Sequence, residues 1–203
     1  MQPMSVASRR PVANPLALAV MAELTIEPLH PYEIGRRLTA HSKDRDFKYN
    51  LGSLYMVVSQ LEKAGLVAAQ ETIRDTQRPE RTLYALTDQG RAELFDWLHE
   101  LVAEPRHEYP HFGIAMSLLA IVEPMEAAGL MRRRLATLTA QVDEIRASIR
   151  KAGEDGVAWI FLVDEDYRAT ILEAERAFVE RVLAQLEEPS YQKAWHEHFE
   201  ARR

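Results

Sequence analysis

The chain has no cysteine among its 203 residues. That excludes disulfide staples, thiol nucleophiles and thiolate metal sites, and it suits a reducing compartment, the cytoplasm. Long apolar runs are also missing: none approaches the roughly 20 residues a bilayer-spanning helix needs, so no membrane partner is expected. The chain carries no G-x-S-x-G, no Walker-type phosphate loop and no H-E-x-x-H. No catalytic residue and no cofactor is assigned, and the chain reads as a non-enzyme. Two histidine pairs, His107/His111 and His196/His198, lack the accompanying carboxylate–histidine spacing of a metal centre, so no metal is expected either.

What is present belongs to a soluble folded protein: 47% apolar residues with 28% charged. The net charge of -6 argues against a nonspecific polyanion binder. The charge is uneven, with nine Lys/Arg against seven Asp/Glu in residues 30–82 and thirteen against seventeen in residues 105–203. A surplus of two is small, so any phosphate contacts must come from local placement. Arg9-Arg10 ahead of V12-A-N-P-L-A-L-A-V-M-A22 mimics a targeting signal. Asn14-Pro15 is equally a cap and first-turn pair, and the expectation is a mobile stretch to residue 11 followed by a helix from Pro15 to about Leu24.

The stretch N50-L-G-S-L-Y-M-V-V-S-Q-L-E-K-A-G-L66 organises the first half. Asn50 is a good N-cap, Leu54, Val57, Val58 and Leu61 recur at helical spacing, and Ala64-Gly65 closes the element. A helix starting at Pro31 precedes it, with Phe47 expected to plug the core from the connection between them. After it come an apolar segment to Ile73, a polar tip through Arg81 and a returning segment L83-Y-A-L86. Thr87 then caps a helix to Val102, with apolar positions at Ala92, Phe95, Leu98 and Val102 and with Leu94, Trp97 and Leu101 alongside. This order predicts a winged helix-turn-helix domain over residues 12–104.

A composition change at R106-H-E-Y-P-H-F112 marks the expected hinge to a helical domain, 105–203. A short helix is expected over Ile114–Val122. Met131, Leu135, Leu138, Val142, Ile145 and Ile149 then follow at heptad a/d spacing. Gly153 and Gly156 break that helix, and V157-A-W-I-F-L-V163 is expected to form a helix–helix corner. A second long helix is lined by Tyr167, Ile171, Ala174, Phe178, Val182 and Leu186, and a terminal one carries Trp195 and Phe199. The heptad stripe with Ile171, Phe178 and Val182 exceeds what one short bundle needs, so this part is expected to form a homodimer. The fold class is mostly α: an N-terminal winged helix-turn-helix domain and a helical C-terminal dimerisation domain.

Four fragments, H30-P-Y-E-I-G-R36, L51-G-S-L-Y55, Q60-L-E-K-A-G-L66 and R78-P-E-R-T-L-Y-A-L-T-D-Q-G-R91, together resemble the PadR family of bacterial transcriptional regulators. The resemblance covers about residues 14–102, and the helical second half is similar to the class with the larger C-terminal domain. It implies a homodimeric regulator, in most members a repressor, that binds an inverted repeat in double-stranded DNA. Several members release DNA when a small aromatic or drug-like molecule binds. The match puts Tyr32 in the second helix against backbone or core, Tyr49, Asn50, Ser53, Tyr55 and Met56 at the start of the reading helix, and Arg78 and Arg81 at the wing. Many members have threonine and then a small residue or proline after Ser-Leu-Tyr, where this chain has Met56-Val57.

Each site residue carries a plainer alternative. Tyr55 contacts a phosphate or packs under the helix; Ser53 meets a base edge or phosphate, or is a first-turn polar residue. Gly52 allows close approach of the backbone to DNA or to the second helix. Lys48 and Lys63 are phosphate partners or ordinary surface lysines. The place for an effector, if there is one, is expected at the inter-domain junction, against Trp97, Leu101, Tyr109, Phe112 and Met116, unless these side chains merely close a core. The runner-up function is a dimeric helical adaptor that uses the winged domain for protein contacts.

Overall fold

The computed structural model describes residues 10–40, 49–73 and 81–200, without the side chains of residues 71–73, 81 and 200. Phe47, Lys48, Arg78 and most of the expected wing tip lie outside the described residues. The chain divides after His107 into two compact units. The first contains α1 (Pro15–Glu23), α2 (Pro31–Ala40), α3 (Leu51–Lys63), β1 (Val67–Ile73), β2 (Arg81–Leu86) and α4 (Asp88–Ala103).

Local chemistry sets the ends of these elements. Asn14 Oδ1 accepts the Leu16 N–H at 2.9 Å, and Pro15 opens α1. Gly65, at φ 73°, ends α3. There the Leu66 N–H donates to the Leu61 carbonyl and the Gly65 N–H to that of Glu62, both at 2.9 Å. This is the Schellman arrangement, which leads directly into β1. Thr87 caps α4 by accepting the Gly90 N–H, and its own hydroxyl donates to the Gly65 carbonyl at 2.7 Å. The core beneath is apolar: Leu16, Val20, Met21, Ile34, Leu38, Leu54, Val57, Val58 and Leu61 are all buried. Each such side chain contributes roughly 1.5–3 kcal/mol.

β1 and β2 pair antiparallel with a bulge at Gln70 between Ala69 and Glu71. The stretch between α1 and α2 does more than connect them. Leu29 and Tyr84 exchange two backbone hydrogen bonds of 3.0 Å, adding a third short edge to the wing.

Two expectations for this unit are corrected. α4 buries Gly90, Leu94 and Trp97, whereas Phe95, Leu98 and Val102 face outward. The helix is rotated because Gly90 must sit under the Leu66 carbonyl. Arg10, expected to be mobile, is instead packed with only 5% of its side chain exposed. It pairs with Glu93 (2.7 Å), Asp96 (3.1 Å) and Glu100, and its guanidinium lies over the Trp97 ring. Three carboxylates and an indole face on one helix hold it there.

The second unit holds α5 (His111–Ser117), α6 (Pro124–Glu154), α7 (Val163–Glu187) and α8 (Pro189–Glu200). The short apolar helix starts earlier than expected, at His111, and gives way at Leu119–Ile121 to a 3-10 turn. α6 and α7 form an antiparallel hairpin whose corner is a 3-10 turn over Trp159–Phe161. Arg146 donates to both oxygens of Glu173 at 2.7 and 2.8 Å and to Asp166, and Arg134 pairs with Glu175.

Met131, Leu138, Val142 and Ile145 of the heptad stripe are buried within the protomer, and Leu135 and Ile149 are half-buried. The partner face of α7 is Ala169, Leu172, Val179, Leu183 and Leu186, with Val182 at its margin. Tyr167, Ile171 and Ala174, expected to line this helix, are turned outward instead, while Phe178 sits at the edge of the core against Phe112. α8 packs on its own unit: Trp195 stacks on Phe199, and its indole N–H donates to the Ala120 carbonyl at 2.9 Å.

Candidate nucleic-acid interface

The entry to α3 is built by a reciprocal cap. Asn50 Oδ1 accepts the Ser53 N–H at 2.8 Å, while Ser53 Oγ accepts the Asn50 N–H at 2.9 Å and donates to the Asn50 carbonyl at 2.8 Å. Both side chains named as DNA contacts therefore hold the helix start in place. Tyr49 is likewise turned inward. Its hydroxyl donates to the Gly35 carbonyl at 2.9 Å and lies 3.0 Å from Thr39 Oγ1. That ties the end of α2 to the beginning of α3.

Beyond the cap, α3 splits into two faces. Leu54, Val57, Val58 and Leu61 point into the core, whereas Leu51 (49% exposed), Tyr55 (43%) and Met56 (52%) point outward. Tyr55 is thus not a packing residue under the helix. Close approach of α2 to α3 is made by Gly35, where a Cβ would lie 3.1 Å from Leu54 Cδ2. Gly52 faces outward, and a Cβ there would meet the Asn50 cap oxygen at 3.3 Å. Lys63 lies about 15 Å along the axis from Ser53. It is exposed in the last turn, where a cation suits the helix dipole.

Three residues join this surface that the sequence reading placed elsewhere or left unassigned. His30 precedes Pro31 and caps α2, its Nδ1 accepting the Tyr32 N–H at 3.2 Å. Its ring meets that of Tyr55 edge-on, 6.0 Å between centroids. Tyr32 is exposed rather than in the core, because α2 buries Pro31, Ile34 and Leu38 instead. It lines, with Arg36, Thr39, Tyr49 and Leu51, an open cleft of about 650 Å³ between α2 and the start of α3. Arg36 pairs with Glu33 at 2.8 Å on the rim. A proline at the first helical position signals a cap one residue earlier, so the role of His30 was readable; its contact with Tyr55 was not.

Tyr84 of β2 belongs to the same neighbourhood. Burial first, and then Glu62 and Tyr55, push its phenol above the ordinary range, so it stays neutral. Arg81 is the first residue of β2.

Of the proposed effector wall, Trp97 is buried under Arg10 in the first unit, and Leu101 is exposed on α4. In the second unit Tyr109 is exposed, while Phe112 and Met116 pack on the core. Phe112 has partners on both sides: Phe178 meets it edge-on at 6.2 Å, and the Arg134 guanidinium lies 3.6 Å from its ring centre. The rings of Trp97 and Phe112 are therefore covered by the protein's own side chains.

A helix pair crossing at Gly35, a capped and outward-facing α3, and a hairpin wing bridged back to Leu29 define a winged helix-turn-helix protein. Residues 18–96 match the model of the Transcriptional regulator PadR-like family. The Negative transcriptional regulator PadR of Bacillus subtilis (strain 168) is 26% identical over 98 residues, 48% of this chain and 53% of that protein. The match thus spans about half the length of that relative. Bacillus subtilis PadR in complex with operator DNA has a similar fold, with TM-score 0.69 and 19% identity over 86% of this chain and 100% of that one. In complex with p-coumaric acid it matches with TM-score 0.66 and 19% identity, again over 86% and 100%. The Vibrio cholerae virulence activator AphA matches with TM-score 0.64 and 15% identity, over 84% of this chain and 97% of that one. Among the described residues no helix is long and apolar enough to cross a membrane.

Proposed function

We propose that the protein is a homodimeric transcriptional regulator, a repressor that binds an inverted-repeat operator through α3 and the wing. The observation that carries this reading is the exposed start of α3, held by the Asn50–Ser53 cap and flanked by Tyr55 and Met56. Helix starts in this setting enter the major groove. Lys48, Arg78 and Arg81 supply phosphate or minor-groove contacts in the same proposal, and Tyr49 and Asn50 position the helix. The operator complex of the Bacillus subtilis protein supports it. Dimerisation is assigned to the helical unit, where Trp159, Phe161, Tyr167 and Ile171 are all at least half exposed. Exposed apolar side chains of this size support placing the contact there.

Release by a small aromatic or drug-like effector belongs to the proposal too, supported by the p-coumaric acid complex of the same relative. With Trp97 and Phe112 covered, effector binding would require Arg10 or Arg134 to move aside. A guest shifts the equilibrium only if it prefers the arrangement that does not bind DNA.

Fluorescence anisotropy with duplex from the promoter of the protein's own gene tests the core of this reading. Binding should be sequence-selective and weaken with salt. Tyr55→Phe should weaken it while leaving the circular dichroism spectrum unchanged, and Arg78→Ala should lower the salt slope by about one ion. Absence of binding at low salt would favour an adaptor that uses the winged unit for protein contacts.

A further inference from the structure

Any base that α3 reads must be read with the chemistry its exposed face carries. The first two turns expose Leu51, Gly52, Tyr55 and Met56. The polar groups at the entry, Asn50 Oδ1 and Ser53 Oγ, are engaged with each other's backbone. The bidentate amide or guanidinium contacts that distinguish adenine and guanine edges therefore have little to draw on in these turns. The next amide, Gln60, lies about 13 Å along the axis from Leu51. It lines a cleft with Pro11, Ala13 and Asn14, beside α1.

At about 100° per residue, Gly52 sits near the middle of the exposed face, with Tyr55 and Leu51 to one side and Met56 to the other. A glycine there keeps the central strip of the helix free of side chain, so the flanking apolar groups can reach base edges. Tyr55 is braced by the His30 ring and carries a hydroxyl suited to a phosphate. Leu51 and Met56 carry no hydrogen-bonding group suited to a base edge. One major-groove feature matches them: the C5 methyl of thymine, which the other three bases lack.

We propose that Met56, with Leu51 across Gly52, reads thymine by its 5-methyl group, so that the half-site is specified in part by apolar contact. This rests on the DNA-binding reading above and adds a specificity mechanism to it.

The test uses the full-length protein. In vitro selection from a random duplex library identifies the preferred site, and each thymine of a half-site is then replaced singly by deoxyuridine, which lacks only the methyl. At one or more positions binding should weaken about three- to fivefold, the effect of losing one buried methyl. Met56→Ala should bind the thymine duplex more weakly and lose the uracil penalty at one such position; Leu51→Ala should do the same at another. Both side chains are exposed, and circular dichroism checks that the variants fold.

A half-site without thymine, or uracil duplexes that all bind as tightly as thymine ones, overturns this mechanism while leaving the regulator reading intact. So does a uracil penalty that survives in both variants. A selection that enriches no sequence overturns the regulator reading, and this proposal with it.

Discussion

Gly90 occupies a position from which any side chain is sterically excluded. A Cβ there would lie 1.9 Å from the Leu66 carbonyl oxygen and 2.9 Å from Leu86 Cδ1. The Leu66 carbonyl is itself held by the Thr87 hydroxyl and backbone N–H, at 3.1 Å each, so moving it aside breaks those bonds. Gly90→Ala is expected to destabilise the folded protein by about 3 kcal/mol, read as a lower urea midpoint. Gly129, in the interior of α6, has nothing within 4 Å of a built Cβ. Gly129→Ala should therefore stabilise by about 0.5–1 kcal/mol, since alanine loses less backbone freedom in a helix. The same substitution at two glycines thus has opposite signs, and equal effects would contradict the packing described.

At the scale of elements, carboxylate–arginine pairs join the pieces. Hydrogen bonding from Arg10, and then from Arg106, holds the Glu100 carboxyl below its ordinary range; Arg146 does the same for Glu173. Glu123, capping α6, is lowered by the backbone N–H groups of Glu126 and Met125. Carboxyls depressed in the folded state contribute stability that is fully present above the ordinary value of 4.5 and is lost as pH falls through the folded values. The melting temperature should therefore fall on acidification from about pH 5 to about pH 3. Arg10→Met separates charge from packing. It removes the partner that holds the Glu100 carboxyl low, so its deficit should be largest at neutral pH and shrink as Glu100 takes up a proton. A deficit constant across the range would mean that Arg10 acts by covering Trp97.

At the scale of the whole molecule, the outward side of the helical unit is where a second copy is proposed to sit. The α6–α7 hairpin buries most of its heptad stripe internally, yet Ile171 on α7 and Trp159 and Phe161 at the corner stay in water. Light scattering at micromolar concentration is expected to report twice 23.2 kDa. Ile171→Glu, at an exposed position, should shift the population toward monomer without changing helix content. A wild-type monomer at that concentration would remove the basis for two recognition helices related by symmetry.

Much was decided by the sequence alone, wherever the signal was local. Asn50, Thr87 and Asn14 cap helices and Gly65 ends one because those outcomes depend on hydrogen bonds within a few residues. Apolar spacing located every long helix for the same reason. The winged order and the family resemblance followed from motifs that lie close together in the chain. Tertiary structure decided which way each helix turns about its axis. On α4 several apolar rows competed, and the close approach at Gly90, where a Cβ would lie 1.9 Å from the Leu66 carbonyl oxygen, goes with burial of Leu94 and Trp97 rather than Phe95, Leu98 and Val102. On α7 the face was chosen by where α6 lies, leaving Tyr167 and Ile171 outside. The pairing of Arg10 with α4, of Tyr49 with Gly35 and of Leu29 with Tyr84 joins groups far apart in the chain. No periodicity encodes such contacts; they exist because burial brings those polar groups together and leaves each no better partner.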